Sequence, residues 1–94
     1  MLRMQKRLEC TVFGRVQLVM FRDFVTRKAR ARKLTGGVRN NPDGSVFLCA
    51  EGDEEKLNEL LALVHRGPPL AHVEKVDAVW KDYLGERQSF DILY

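Results

Sequence analysis

The sequence has few of the features that mark disordered, membrane-spanning or secreted chains. It contains only three prolines and seven glycines among 94 residues, which argues against extended disorder. No apolar run approaches the roughly 20 residues that cross a bilayer. Residues 1–7 are too polar for the core of a signal peptide. We therefore expect a cytoplasmic protein without a membrane segment.

Cysteine and histidine are also scarce. The two cysteines, Cys10 and Cys49, are far apart and show no metal-ligand spacing, so we expect reduced thiols packed on strands, with a disulfide as the second possibility. His65 and His72 flank a proline-containing loop and have no partner cluster, which predicts surface positions. We expect neither a metal nor a cofactor.

Length and composition indicate one small folded unit. The chain is 45% hydrophobic and 31% charged, which is ordinary for a globular protein. A chain of this size buries roughly 60 to 65% of its unfolded surface, and it leaves no room for a second domain. We therefore predict a single domain over residues 1–94, without internal repeats or low-complexity tracts.

The first half of the chain predicts a strand, a helix and a hairpin. Residues 8–13 are typical of a strand that stops at Gly14, and residues 21–34 are good helix formers, with Phe24 in the core. Strands over 38–40 and 45–50 flank residues 41–44, where Asn-Pro-Asp-Gly is typical of a tight turn.

The second half predicts another helix and two strands. Asp53 is a suitable N-cap, Leu57, Leu60, Leu61 and Val64 form one apolar stripe, and Gly67-Pro68-Pro69 ends the helix. A strand over 73–81, with Trp80 in the core, precedes a closing strand containing Phe90, Ile92 and Tyr94. No role is assignable to the turn over 82–88.

This element order predicts an α+β fold of the ferredoxin-like α/β sandwich type. The order is β-α-β-β-α-β plus a C-terminal strand. Two helices would cover one face of an antiparallel sheet.

The loop after the first strand is typical of an anion-binding site. Unpaired backbone N–H groups in the loop and at the helix start can bind a phosphoryl or carboxylate group, and the guanidinium of Arg22 can add a fork of donors. Gln17 is expected to hydrogen-bond within its own loop. The predicted phosphate-binding loop comprises Arg15, Val16, Gln17, Leu18, Val19, Met20 and Phe21. Further on, Asn40 stands just before the turn.

Two motifs resemble the signatures of the acylphosphatase family. Residues Val12 to Arg22 are similar to an aliphatic residue, any residue, then Gly-x-Val-Gln-Gly-Val-x-aromatic-Arg. Residues Gly36 to Gly52 are similar to Gly-aromatic-Val-x-Asn, three residues, Gly-x-Val, five residues, Gly. Each motif has one departure, and the two together are far more specific than either alone.

The resemblance implies an enzyme that hydrolyses the carboxyl–phosphate bond of small acyl phosphates to a carboxylate and inorganic phosphate, without a cofactor. By position, Arg22 would hold the phosphoryl oxygens and Asn40 would orient the attacking water. Neither motif contains an obvious general base, so the substrate's phosphate would take the proton. The loop would also bind a phosphate or sulfate ion, and we expect a monomer.

Three positions depart from the family pattern. Leu18 replaces a glycine; if φ is positive there, leucine costs roughly 1 to 2 kcal/mol and lowers activity without abolishing it. Gly37 replaces an aromatic residue, which removes packing area. Lys33 stands where a glycine often ends the first helix, so we expect a less sharply capped terminus.

Two other functions compete with this interpretation. The net charge of +3 and a basic first helix are compatible with RNA binding, but the hairpin strand over 45–50 offers only Phe47 where an RNA-recognition sheet needs paired aromatics. The other candidate is a non-catalytic acylphosphatase-like anion-binding module, similar to the N-terminal domain of larger hydrogenase-maturation proteins. The end of the chain at Tyr94 favours a free-standing protein.

Overall fold

The structure, a computed structural model, describes residues 4–94. Its elements follow the predicted order: β1 (Gln5–Arg15), α1 (Phe21–Ala31), β2 (Thr35–Asn40), β3 (Val46–Asp53), α2 (Glu54–Arg66), β4 (His72–Asp82) and β5 (Phe90–Ile92). The first helix ends three residues before the predicted position 34. No helix within residues 4–94 is long and apolar enough to span a bilayer.

The five strands form one mixed sheet in the order β4-β1-β3-β2-β5. The pairings β4-β1, β1-β3 and β3-β2 are antiparallel, as predicted. The closing strand differs, because β5 pairs in parallel with β2. After β4 the chain reverses and crosses the width of the sheet, so it runs in the direction of β2 when it reaches the far edge. The strand ends at Ile92, before Tyr94, which is fully exposed.

The core lies between the sheet and the two helices. Phe24 and three residues of the predicted α2 stripe, Leu57, Leu60 and Val64, are buried there, while Leu61 is partly buried against them. The prediction for Trp80 was wrong, since that residue is 40% exposed. It lies on β4, an edge strand that has a neighbouring strand on only one side.

Residues 83–89 cross the sheet from β4 to β5 and are held by Glu51. One Glu51 oxygen accepts the Leu84 N–H at 2.7 Å and the other accepts the Gly85 N–H at 3.0 Å. The same carboxylate also pairs with Arg7 at 3.3 Å. Its side chain is 3% exposed, and buried carboxylates need such partners. The crossing segment therefore has a fixed attachment that its sequence did not reveal.

Three predicted local features are confirmed: the hairpin turn containing Gly44, the N-cap at Asp53 and the helix end at Gly67. The Asn41 N–H donates to the Ser45 carbonyl at 2.8 Å across the hairpin turn, where Gly44 has a φ of 93°. Asp53 accepts the Glu55 N–H at 3.2 Å at the start of α2. Gly67, with a φ of 69°, ends α2.

Cys10 and Cys49 are free, buried thiols on neighbouring strands, so the disulfide alternative is not formed. Cys10 lies opposite Leu48 and Cys49 lies opposite Glu9, which directs the two thiols to opposite faces of the sheet. Burial raises the pKa of Cys10 to about 12 and also raises that of Cys49. His65 and His72 are exposed, as expected.

The C-terminus of α1 is sharply capped although it lacks glycine. The Leu34 N–H donates to the Ala29 carbonyl and the Lys33 N–H to the Arg30 carbonyl, each at 3.0 Å. This pair of bonds is the Schellman motif, which requires a left-handed residue just after the helix. Lys33 has that conformation, with a φ of 58°. The prediction of a less sharply capped terminus was wrong. The absence of glycine results instead in backbone strain at Lys33.

We predict that Lys33→Gly stabilises the protein by about 1 kcal/mol, because glycine adopts positive φ without the Cβ penalty. The melting temperature should rise by about 4 to 8 °C. Thermal unfolding followed by circular dichroism measures the change. Lys28→Gly, inside α1, is the control and should lower stability. A Lys33→Gly protein that melts no higher than the wild type would contradict the strain at this position.

Candidate active site

The loop between β1 and α1 is anchored at both ends. Val16 and Phe21 are each 1% exposed and belong to the core. Between them Val19 packs partly against the core, while Leu18 and Met20 project into solvent. The alternation of buried and exposed side chains holds the loop backbone close to the body of the protein.

The backbone of this loop has unused hydrogen-bond donors. Leu18 and Met20 have φ values of 61° and 64°, with residues of negative φ beside each. Such alternation is typical of backbone nests that bind anions. In the part of the chain that the structure describes, the N–H groups of residues 17–20 donate no hydrogen bond. The first N–H groups of α1 are unpaired by helix geometry as well.

Gln17 connects this loop to the hairpin turn. Its side-chain Nε2 donates to the Asn41 carbonyl at 2.8 Å and to the Ser45 carbonyl at 2.9 Å. We expected a bond within its own loop, which was wrong because both acceptors lie across the molecule. The expected structural role is present, since these bonds set the distance between the two sequence motifs.

The two motifs meet at a cavity of about 240 Å³. Arg22 and Asn40, which are 18 positions apart in the sequence, both line it. Arg15, Gln17 and Val19 of the predicted loop do not contribute to its wall. The lining residues are Val16, Leu18, Met20, Phe21, Arg22, Asp23, Asn40 and Ile92.

Two lining residues were not identified from the sequence. Asp23 follows Arg22 directly in the sequence, but nothing in the motifs indicated that a carboxylate would line a phosphate site. In the structure, its carboxylate pairs with Arg27 at 2.9 Å. Ile92 reaches the cavity because β5 lies beside β2. Only the alternating pattern of the closing strand pointed to it, and that pattern did not specify the neighbour.

The guanidinium of Arg22 carries an uncompensated positive charge. Its Cζ lies 5.4 Å from the centroid of the Tyr94 ring, a cation–π contact. No carboxylate within residues 4–94 forms an ion pair with it. Its fork of donors is therefore available for an anion in the cavity.

Asn40 has an unsatisfied acceptor. Its side-chain Oδ1 is buried and has no hydrogen-bond partner among the described residues. Buried polar atoms are rarely left unpaired in folded proteins. Asn41 differs, because its Nδ2 donates to the Ser45 Oγ at 2.9 Å as part of the turn. Asn40 is thus the asparagine of this pair that can bind a water or a ligand.

Gly37 does not leave the packing defect that we expected. A Cβ at this position would lie 2.7 Å from Leu93 Cδ1 and 2.8 Å from Leu93 Cγ. The Leu93 side chain already occupies the space next to the glycine, so the loss of an aromatic residue is compensated from the C-terminal segment.

The φ of Leu18 leads to a prediction about loop strain. Leu18→Gly should raise the free energy of unfolding by about 1 kcal/mol, because leucine pays the Cβ penalty in this conformation and its exposed side chain contributes little packing. Urea denaturation measures the difference. Leu18→Ala keeps a Cβ and should leave stability close to the wild type. Equal stability of the glycine and alanine variants would contradict the prediction.

Comparisons with known proteins agree with the two motifs. The acylphosphatase family model matches residues 8–92. The chain is 49% identical over 88 residues to an acylphosphatase of Methylococcus capsulatus, covering 94% of this chain and 96% of that protein. It is 46% identical over 88 residues to an acylphosphatase of Salinibacter ruber, covering 94% and 93%. Among solved structures, acylphosphatase from Bacillus subtilis matches with a TM-score of 0.91 and 37% identity, covering 95% of this chain and 99% of that one.

Proposed function

The chain belongs to the acylphosphatase family, and we propose that it hydrolyses acyl phosphates to a carboxylate and inorganic phosphate at the cavity that Arg22 and Asn40 share. The single observation that carries this proposal is their juxtaposition. Among residues 4–94, the guanidinium of Arg22 has no carboxylate partner and the buried amide oxygen of Asn40 has no hydrogen-bond partner.

Arg22 and the loop backbone would bind the phosphoryl group. The unused N–H groups of residues 17–20 and the start of α1 supply donors and positive potential. The Arg22 guanidinium adds charge-assisted bonds. Together these groups would stabilise charge on the equatorial oxygens of a loose transition state, which is the main task in phosphoryl transfer.

Asn40 would position the nucleophile. A water that donates a hydrogen bond to Asn40 Oδ1 would satisfy this buried acceptor and stand beside the phosphoryl group. Fixing the water in line with the leaving group converts a bimolecular attack into an effectively unimolecular step.

The reaction then needs little further help from the protein. The water oxygen forms a bond to phosphorus, the bond from phosphorus to the acyl oxygen breaks, and the carboxylate leaves with the electron pair. A water proton passes to a phosphate oxygen of the substrate. Because a carboxylate is a good leaving group, no protein acid has to protonate it.

RNA binding has less support than this activity. Three arginines of the basic first helix and its C-terminal turn are engaged in ion pairs: Arg27 with Asp23, Arg30 with Asp91, and Arg32 with Glu59. A helix whose charges are compensated in this way attracts phosphates weakly.

We propose a cytoplasmic location for the protein. Two free thiols are typical of a reducing compartment, which supports a cytoplasmic location. We also propose that the chain acts as a monomer, forms one domain, and binds a phosphate or sulfate ion at the loop in the absence of substrate.

We predict that Arg22→Ala lowers kcat/KM for an aromatic acyl phosphate by at least about 100-fold, because it removes a charged donor from the transition state. The assay follows hydrolysis of benzoyl phosphate in the presence of EDTA. Arg66→Ala, an exposed arginine at the end of α2, is the matched control. Full activity of the Arg22→Ala protein would exclude the proposed clamp.

We predict that Asn40→Ala separates catalysis from binding. Loss of the water-positioning oxygen should reduce kcat by about 100- to 1,000-fold, while inorganic phosphate binds with nearly wild-type affinity in isothermal titration calorimetry. Asn58→Ala on α2 is the matched control. An Asn40→Ala protein that fails to bind phosphate would show that the amide holds the anion instead of the water.

A further inference from the structure

A second cavity lies on the face of the sheet that the two helices do not cover. Its volume is about 490 Å³, which is within the roughly 300 to 1,000 Å³ of sites that enclose a small molecule. Side chains alternate between the faces of a strand, so Arg39 points to this face and Asn40 to the side where Val38 is buried. Among residues 4–94, none lines both this cavity and the candidate active site. The two cavities are therefore on opposite sides of β2.

This sheet cavity lies where the chain departs from the acylphosphatase motif. Gly37 lines it without a side chain, at the position where the motif has an aromatic residue that would project into the same space. The other wall is the segment 83–89, which Glu51 holds over the sheet through two backbone N–H groups. That segment brings Glu86 and Arg87 to the cavity. The space and its charged groups are thus features of this chain.

Two guanidinium groups in the sheet cavity lack a carboxylate partner. Arg7 and Glu51, which also line it, pair with each other at 3.3 Å. Arg39 and Arg87 form no ion pair with any residue that the structure describes. Arginine binds phosphate through paired, charge-assisted hydrogen bonds. Two such groups suit a phosphate monoester, which carries about −1.5 to −2 charges at neutral pH, better than a carboxylate with one charge.

The sheet cavity also offers surfaces for a planar ring. The Cζ of Arg39 lies 4.6 Å from the centroid of the Phe47 ring, which supports the guanidinium from one side. Arg39 is exposed, so the other face of its guanidinium is open to a stacked ring, a contact that arginine makes with nucleic-acid bases. Leu93 and the thiol of Cys49 add apolar surface to the wall.

Glu86 restricts the ligand further. It lines the sheet cavity and has no ion-pair partner in the part of the chain that the structure describes. Its carboxylate accepts hydrogen bonds and repels a second anionic group. A ligand that matches the wall therefore has one phosphate, a planar ring and a hydrogen-bond donor.

We propose that the sheet cavity is a second binding site, which takes a nucleoside monophosphate with an amino-substituted base. Arg39 and Arg87 bind the phosphate, the base stacks on the guanidinium of Arg39, and its amino group donates to Glu86. This site does not depend on the activity proposed for Arg22 and Asn40, because it lies across the sheet from them.

The test is isothermal titration calorimetry of the full chain with AMP, ribose 5-phosphate and adenosine. The last two ligands lack the base and the phosphate respectively, so each should bind at least about tenfold more weakly than AMP. Arg39→Ala and Arg87→Ala should each raise the Kd for AMP by about tenfold or more, since each removes charged hydrogen bonds. Arg66→Ala is the matched control, because Arg66 is exposed and does not line the sheet cavity.

Arg22→Ala separates the two sites. This variant should bind AMP with wild-type affinity, whatever its effect on acyl phosphate hydrolysis. Loss of AMP binding in Arg22→Ala, with retention in Arg39→Ala and Arg87→Ala, would locate the nucleotide at the candidate active site and overturn the proposal. A wild type that does not bind AMP, or that binds ribose 5-phosphate or adenosine equally well, would also overturn it.

Discussion

The two hydrogen bonds donated by Gln17 are the interaction on which the candidate active site depends. They join the loop after β1 to the turn after β2, at 2.8 and 2.9 Å. The loop leads to Arg22 and the strand before the turn ends at Asn40, so the bonds connect the segments that carry both residues. An amide with two donors suits two adjacent carbonyl acceptors, which explains a glutamine at this point.

Among the residues that the structure describes, the non-glycine residues with positive φ lie in two places. Leu18 and Met20 have positive φ within the loop, and Lys33 has it after α1. At Lys33 the strain completes a helix cap, which is a structural purpose that glycine would serve better. In the loop it orients backbone donors and exposes two apolar side chains. The loop strain therefore has a functional interpretation that the Lys33 strain lacks.

The C-terminal segment completes the site from the far edge of the sheet. Glu51 holds residues 84 and 85 as they cross, and β5 then brings Ile92 to the cavity wall. Leu93 fills the space beside Gly37, and Tyr94 contacts Arg22. The site is thus built from three stretches of the chain, although its two motifs end at Gly52.

The sequence by itself determined the order of the elements, the turn over 41–44 and the N-cap at Asp53, because these depend on neighbouring residues and local backbone preferences. Its motifs also identified the family and nominated Arg22 and Asn40. Only the tertiary structure decided that β5 is parallel to β2, that Gln17 bonds across to the turn and that Trp80 is 40% exposed. Each of these depends on which segments become neighbours after the chain crosses the sheet, and local sequence carries no information about such distant contacts.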